Sequence, residues 1–145
     1  MRLIFVATAA ALLAACSQAN TPASERAAVT APTEDTHVLA VLSYADWCGS
    51  CKVLDPKVKA VQAANSFDGV AFATIDFTSK DTEAFFTDAE TLGVGDAMRA
   101  TFGDKVKTGR LYLVDLDTGD VISTVDKSMT EADIASAISA AIARS

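Results

Sequence analysis

Cys48 and Cys51 are separated by Gly49 and Ser50 and flanked by Trp47 and Lys52. Two thiols this close in the chain can close a disulfide with little backbone movement and open again under attack by an outside thiolate. Such a pair carries two electrons in its own covalent bonds, so no bound cofactor is needed; the redox-active group is the Cys48–Cys51 disulfide itself. The pair falls where an apolar run gives way to a helical pattern, which puts Cys48 at a helix start. Unsatisfied amide groups and the positive end of the helix dipole favour a thiolate there. Cys48 is therefore expected to be the nucleophile, and Cys51, one turn deeper, the thiol that resolves a mixed disulfide. Gly49 leaves room for a partner chain. Trp47 either covers the helix start or meets a substrate. Lys52 reads first as a solvated helix residue and second as a tuner of thiol acidity. The competing reading is a static disulfide, although closing a two-residue loop stabilises little by chain entropy.

The elements that must position this pair are legible in the apolar spacing. Val38–Leu42 is a continuous apolar run, too short for a helix and suited to a strand buried on both faces. From Gly49, Val53, Leu54, Val58, Val61 and Ala64 recur at three- and four-residue steps, predicting a helix to about Asn65 with a kink at Pro56. Val70–Ile75 reads as a second buried strand, closed by Asp76. Two helical segments follow, one with Phe85, Ala89 and Leu92 on a face, the other with Val94, Ala97, Met98, Thr101 and Phe102. Gly103 is placed to stop the second. Leu111–Val114 and Val121–Val125 are strands joined by a turn at Asp117–Asp120, hence a hairpin. Thr130 caps a last helix with Asp133 three residues on; Ile134, Ala137, Ile138, Ala141 and Ile142 form its apolar stripe, and Arg144 is expected to complement its C-terminal dipole. The order is β-α-β-α-α-β-β-α. Strands one and two, joined by a helix, should be parallel through a right-handed crossover, and the hairpin makes the sheet mixed.

The 145 residues suffice for one ordinary domain. Nineteen acids oppose twelve bases, a formal charge of -7, which argues against nucleic acid as a partner and against charge-driven attachment to anionic lipid. A single histidine, His37, rules out a metal site built on several histidines, and no metal site is expected. At the N-terminus, Met1-Arg2 precedes the apolar stretch Leu3–Leu13, shorter than a transmembrane helix and suited to a signal-peptide core. Leu13-Ala14-Ala15-Cys16 resembles the bacterial lipobox, which implies cleavage before Cys16 and its lipidation. The third cysteine is thereby assigned, leaving Cys48 and Cys51 in an oxidising compartment. Residues 1–15 are then a lipoprotein signal peptide, 16–36 the lipidated cysteine with a flexible linker rich in Ala, Ser and Thr, and 37–145 the folded domain. Ser17 resembles the outer-membrane default of diderm lipoproteins, so the expected location is the cell envelope, facing the periplasm, with the outer membrane favoured over the inner.

Strand, Trp-Cys-x-x-Cys-Lys, a helix with proline five residues after the second cysteine, strand, helices, hairpin and helix together resemble the thioredoxin family over roughly His37 to Ser145. Tyr44-Ala45-Asp46-Trp47-Cys48 is similar to the periplasmic thioredoxin-like domain of the membrane thiol-reductant transporter. The resemblance implies an α/β thioredoxin-like fold, a central mixed four-stranded sheet flanked by helices, and Cys48 and Cys51 as catalytic residues. It also marks four departures. Leu42 stands where thioredoxin carries a buried aspartate that helps deprotonate the second cysteine. Thr108-Gly109-Arg110 contains no proline where the family usually places a cis-proline facing the disulfide, so Thr108 and Gly109 are the expected substrate-groove residues. Thr78 to Lys107 is longer than the thioredoxin connection, with room for an added helix or cap near the site. Ser50 replaces a proline common in reducing members. The function these features imply is an envelope thiol-disulfide oxidoreductase, a reductase rather than an oxidant. It would be monomeric and act on protein thiols and disulfides. The alternatives are a Cu(I)-handling protein, since paired thiolates suit that ion, and a redox-inert binding module on the same scaffold.

Overall fold

The computed structural model describes residues 32–145. The expected signal peptide, Cys16 and most of the linker lie outside the described residues. The chain runs β1 (Val38–Tyr44), α1 (Gly49–Ala64), β2 (Val70–Asp76), α2 (Thr82–Thr91), α3 (Gly95–Phe102), β3 (Arg110–Asp115), β4 (Val121–Asp126) and α4 (Glu131–Ile142), the order expected from the sequence. One sheet has the strand order β2-β1-β3-β4. β1 lies parallel to β2 and antiparallel to β3, which pairs antiparallel with β4.

β1 is central and apolar on both faces because both are covered. Val38, Ala40 and Leu42 pack with Leu54, Val58 and Val61 of α1 and with Ile134, Ile138 and Ala141 of α4. Leu39 and Val41 face the layer built by α2 and α3. That layer is aromatic. Phe85 meets Phe77, Phe86 and Phe102 at centroid separations of 5.6–5.7 Å, and Phe102 stands edge-on to Tyr112 at 5.2 Å. The long connection between β2 and β3 thus supplies the cover of one whole sheet face. At about 1.5–3 kcal/mol for each large side chain fully buried, these two layers hold β1 rigidly, and with it the turn that carries the cysteines.

Some details depart from the expectation. The buried stripe of α1 is Cys51, Leu54, Val58 and Val61. Val53 and Ala64, expected within it, are exposed, because the helix presents its narrower 51-54-58-61 seam to the sheet. Pro56 lies inside α1, as read from the sequence, within one continuous helix. β2 is an edge strand and alternates buried with half-buried residues instead of being buried throughout. Arg144 lies beyond α4 and donates to the carbonyl of Ile122, tying the chain end to β4 rather than serving the helix dipole. Gly103 does end α3, with φ +56° and its N–H on the carbonyl of Arg99. Thr130 and Asp133 make a reciprocal capping box at α4.

Candidate redox site

β1 ends at Tyr44 and the chain turns through Ala45, Asp46 and Trp47 into α1. Cys48 is the N-cap residue of that helix, with extended backbone, and its Sγ accepts the N–H of Cys51 at 3.2 Å. The sulfur thus satisfies one of the amides that a helix start leaves open, the interaction that favours a thiolate when the bond is reduced. Cys48 and Cys51 are joined by a disulfide, their Cα atoms 5.3 Å apart. Their environments differ. Cys48 keeps 8% of its surface exposed and Cys51 none. Cys51 Sγ lies 3.8 Å from the carbonyl oxygen of Ser43, an acceptor that favours the neutral thiol on reduction. A cysteine on a helix cap that keeps some exposure and a fully buried partner one turn later can attack and then resolve. The same pair makes a poor staple for the fold.

Gly109 faces the pair. Its φ is +81°, its N–H donates to the carbonyl of Ser43 at 2.8 Å, and it is buried. A Cβ placed on it would come within 2.7 Å of Ser50 Cβ and 3.1 Å of Cys48 Sγ. Glycine is required here twice, by the left-handed backbone and by the close approach. Thr108, half-buried, precedes it on the same loop. Among the described residues every peptide bond is trans. The structure therefore brings Cys48, Cys51, Ser50 and Gly109 together. Gly49 is exposed, and a Cβ on it would meet nothing within 4 Å, so the space above the helix start is open. Lys52 is exposed on α1. Leu42 is buried in the α1 and α4 core, so the site of the family's buried aspartate is apolar here.

Trp47 both covers the turn and stays accessible, at 50% exposure. Its indole N–H donates to the carbonyl of Thr78 at 3.1 Å, and Phe77 stands at its edge. Thr78 belongs to the loop after β2, which no sequence signal connects to the cysteines. Thr78 Oγ1 accepts the N–H of Asp46 at 3.0 Å while donating its own proton to Asp76, whose carboxylate also accepts the N–H of Thr78. Phe77 N–H donates to the carbonyl of Tyr44 at 2.7 Å. The loop 77–80 thus brackets residues 44–47. An Asp-x-Thr string just past a strand is a turn signal, but its partner across the chain has no local signature. Tyr44 packs against the cluster of Ala45, Cys48 and Cys51, and partial burial, then the negative charges of Asp46 and Asp55, holds its phenol above the ordinary value.

Three solved structures are similar to this chain. StoA from Bacillus subtilis has a TM-score of 0.49 and 16% identity, over 71% of this chain and 83% of that one. Trxlp from Edwardsiella tarda EIB202 has a TM-score of 0.46 and 14% identity, over 69% and 80%. A mutant thioredoxin from Halobacterium salinarum NRC-1 has a TM-score of 0.46 and 23% identity, over 72% and 74%. No curated protein matches the chain in sequence. Residues 21–91 match the family model Thioredoxin, a span that holds β1, the cysteine turn, α1, β2 and α2. With that match, the β2-β1-β3-β4 sheet and the Cys48–Cys51 pair at the head of α1, the chain carries a thioredoxin-like fold.

Proposed function

We propose that this protein is a lipid-anchored thiol-disulfide oxidoreductase of the cell envelope that works as a reductase. The observation that carries the redox part is the asymmetry of the disulfide: Cys48 is the helix cap and keeps 8% of its surface exposed, while Cys51, one turn on, keeps none. In the reduced protein the Cys48 thiolate attacks one sulfur of a partner disulfide. A Cys48–partner mixed disulfide forms and the partner's other sulfur leaves as a thiolate. Cys51 then loses its proton and attacks Cys48 Sγ. The Cys48–Cys51 bond forms, the second partner sulfur leaves, and two electrons have passed to the partner. An upstream protein dithiol restores the reduced state by the same exchange in reverse.

The reductive direction is supported by the likeness of Tyr44–Cys48 to a reductive relay domain, and the anchor by Leu13-Ala14-Ala15-Cys16. The protein acts as a monomer on envelope proteins, without a bound cofactor. The test is trapping in cells with the native leader retained. Cys51→Ser should accumulate mixed disulfides through Cys48, and Cys48→Ser should trap far less, because Cys51 is buried. Cys16→Ala should release the protein from the membrane fraction without unfolding it. Absence of adducts from both cysteine variants contradicts the oxidoreductase reading. If tight Cu(I) binding that needs both cysteines accompanies that result, metal handling takes its place.

A further inference from the structure

Lys80 is the one non-glycine residue with positive φ among the described residues, at +61°. A lysine there carries a conformational penalty that glycine would avoid and asparagine would lessen, so the reason for lysine must lie in its side chain. Its N–H donates to the carbonyl of Phe77 at 3.0 Å, which closes the loop and aims the side chain back over the cysteine turn. The ammonium stands 5.2 Å from the centroid of the Trp47 ring, within cation–π reach. Trp47 is held on its other sides by Phe77 and the Thr78 carbonyl, and its neighbour in sequence is Cys48. Two carboxylates are nearby in the chain. Asp81 caps α2, accepting the N–H of Ala84 at 3.0 Å, and Asp46 is exposed beside Trp47. On a chain of net charge -7, Lys80 places a cation at the rim of the redox site, on the half-exposed indole that adjoins Cys48.

We propose that Lys80 is a specificity-determining residue, selecting partner segments that carry an acidic side chain next to the exchanging sulfur. The inference rests on the redox reading of Cys48 and Cys51 and deepens it. A partner crossing Trp47 brings its flanking side chains to the Lys80 ammonium, where a carboxylate is attracted and a second ammonium repelled.

The experiment uses two synthetic disulfide-linked peptide dimers, identical except that glutamate or lysine flanks the single cysteine. Protein reduced with excess dithiol and freed of it is mixed with each dimer at low salt. Cys48 attacks the peptide disulfide, one peptide thiolate leaves, Cys51 displaces the second, and the protein ends oxidised. Fluorescence of Trp47, the chain's single tryptophan, follows the reaction. The wild type should prefer the glutamate dimer. Lys80→Asn, which keeps a residue tolerant of the left-handed backbone, should lower that preference by about three- to fivefold, the scale of one exposed ion pair. Lys80→Arg, which keeps the cation, should retain it, and raised salt should erase it in the wild type. An equal preference in the wild type and Lys80→Asn overturns the assignment while leaving exchange intact. A wild type that oxidises with neither dimer overturns both this inference and the redox reading.

Discussion

Gly109 occupies a point where the chain must come within van der Waals distance of a sulfur it will later expose to a partner. Its positive φ and the space beneath it leave no room for a side chain. Gly109→Ala should destabilise the oxidised protein by about 1–3 kcal/mol through overpacking and backbone strain, read as a lower urea midpoint. Gly109→Pro should do worse, although relatives carry proline in this place. Proline fixes φ near -65°, and here the residue has φ +81° and spends its N–H on Ser43. A proline variant as stable as the wild type would show that the loop is not constrained as described. Cys48 invites a second test. In Cys51→Ser, alkylation rate against pH should give a Cys48 thiol titrating below the roughly 8.5 of a free cysteine, because its sulfur accepts a helix amide. A value at or above that figure would remove the basis for calling Cys48 the nucleophile.

The helices illustrate which information is local. Thr130 and Asp133 are readable as a cap because the contact spans three residues, and the box forms as read. Thr130→Ala should cost about 1 kcal/mol, measured by chemical denaturation. The hydroxyl and then the amide of Thr130 hold the Asp133 carboxyl below its ordinary value. A lowered folded-state pKa contributes stability that is present above the unfolded value near 3.8 and lost as pH falls through the folded value. Asp133→Asn should therefore lower the melting temperature at neutral pH and flatten its decline between about pH 5 and pH 2. A parallel decline in both proteins would contradict the linkage. Strand and helix order are equally legible, since short apolar runs and the 3.6-residue period are written in neighbouring residues. The exposed side of α1 differs from expectation at Val53 and Ala64 because periodicity alone does not say which of two adjacent apolar stripes meets the sheet. In the site, Cys48 and Cys51 are visible by spacing and Gly109 by resemblance. The Thr78 bracket on Asp46 and Trp47 is not, because it joins segments thirty-odd residues apart and one end of each bond is backbone, the Asp46 amide or the Thr78 carbonyl, a group every residue carries.

Taken as one body, the molecule gathers its chemistry at one end of the sheet. The C-terminal ends of β1 and β2 and the entrance to β3 deliver the cysteine turn, the 77–81 loop and Gly109 to a common rim. The chain enters β1 at the other end, where His37 pairs with Asp117 of the hairpin turn at 3.1 Å. Seven strand residues separate the two ends, about 20 Å at the usual rise. As proposed, Cys48–Cys51 is an exchanging pair and not a staple. Equilibration of the purified protein with graded mixtures of reduced and oxidised thiols, followed through the single tryptophan, tests it directly. An exchanging pair gives a reversible two-electron transition with a potential above about -300 mV; a disulfide that stays closed until well below that value would contradict exchange.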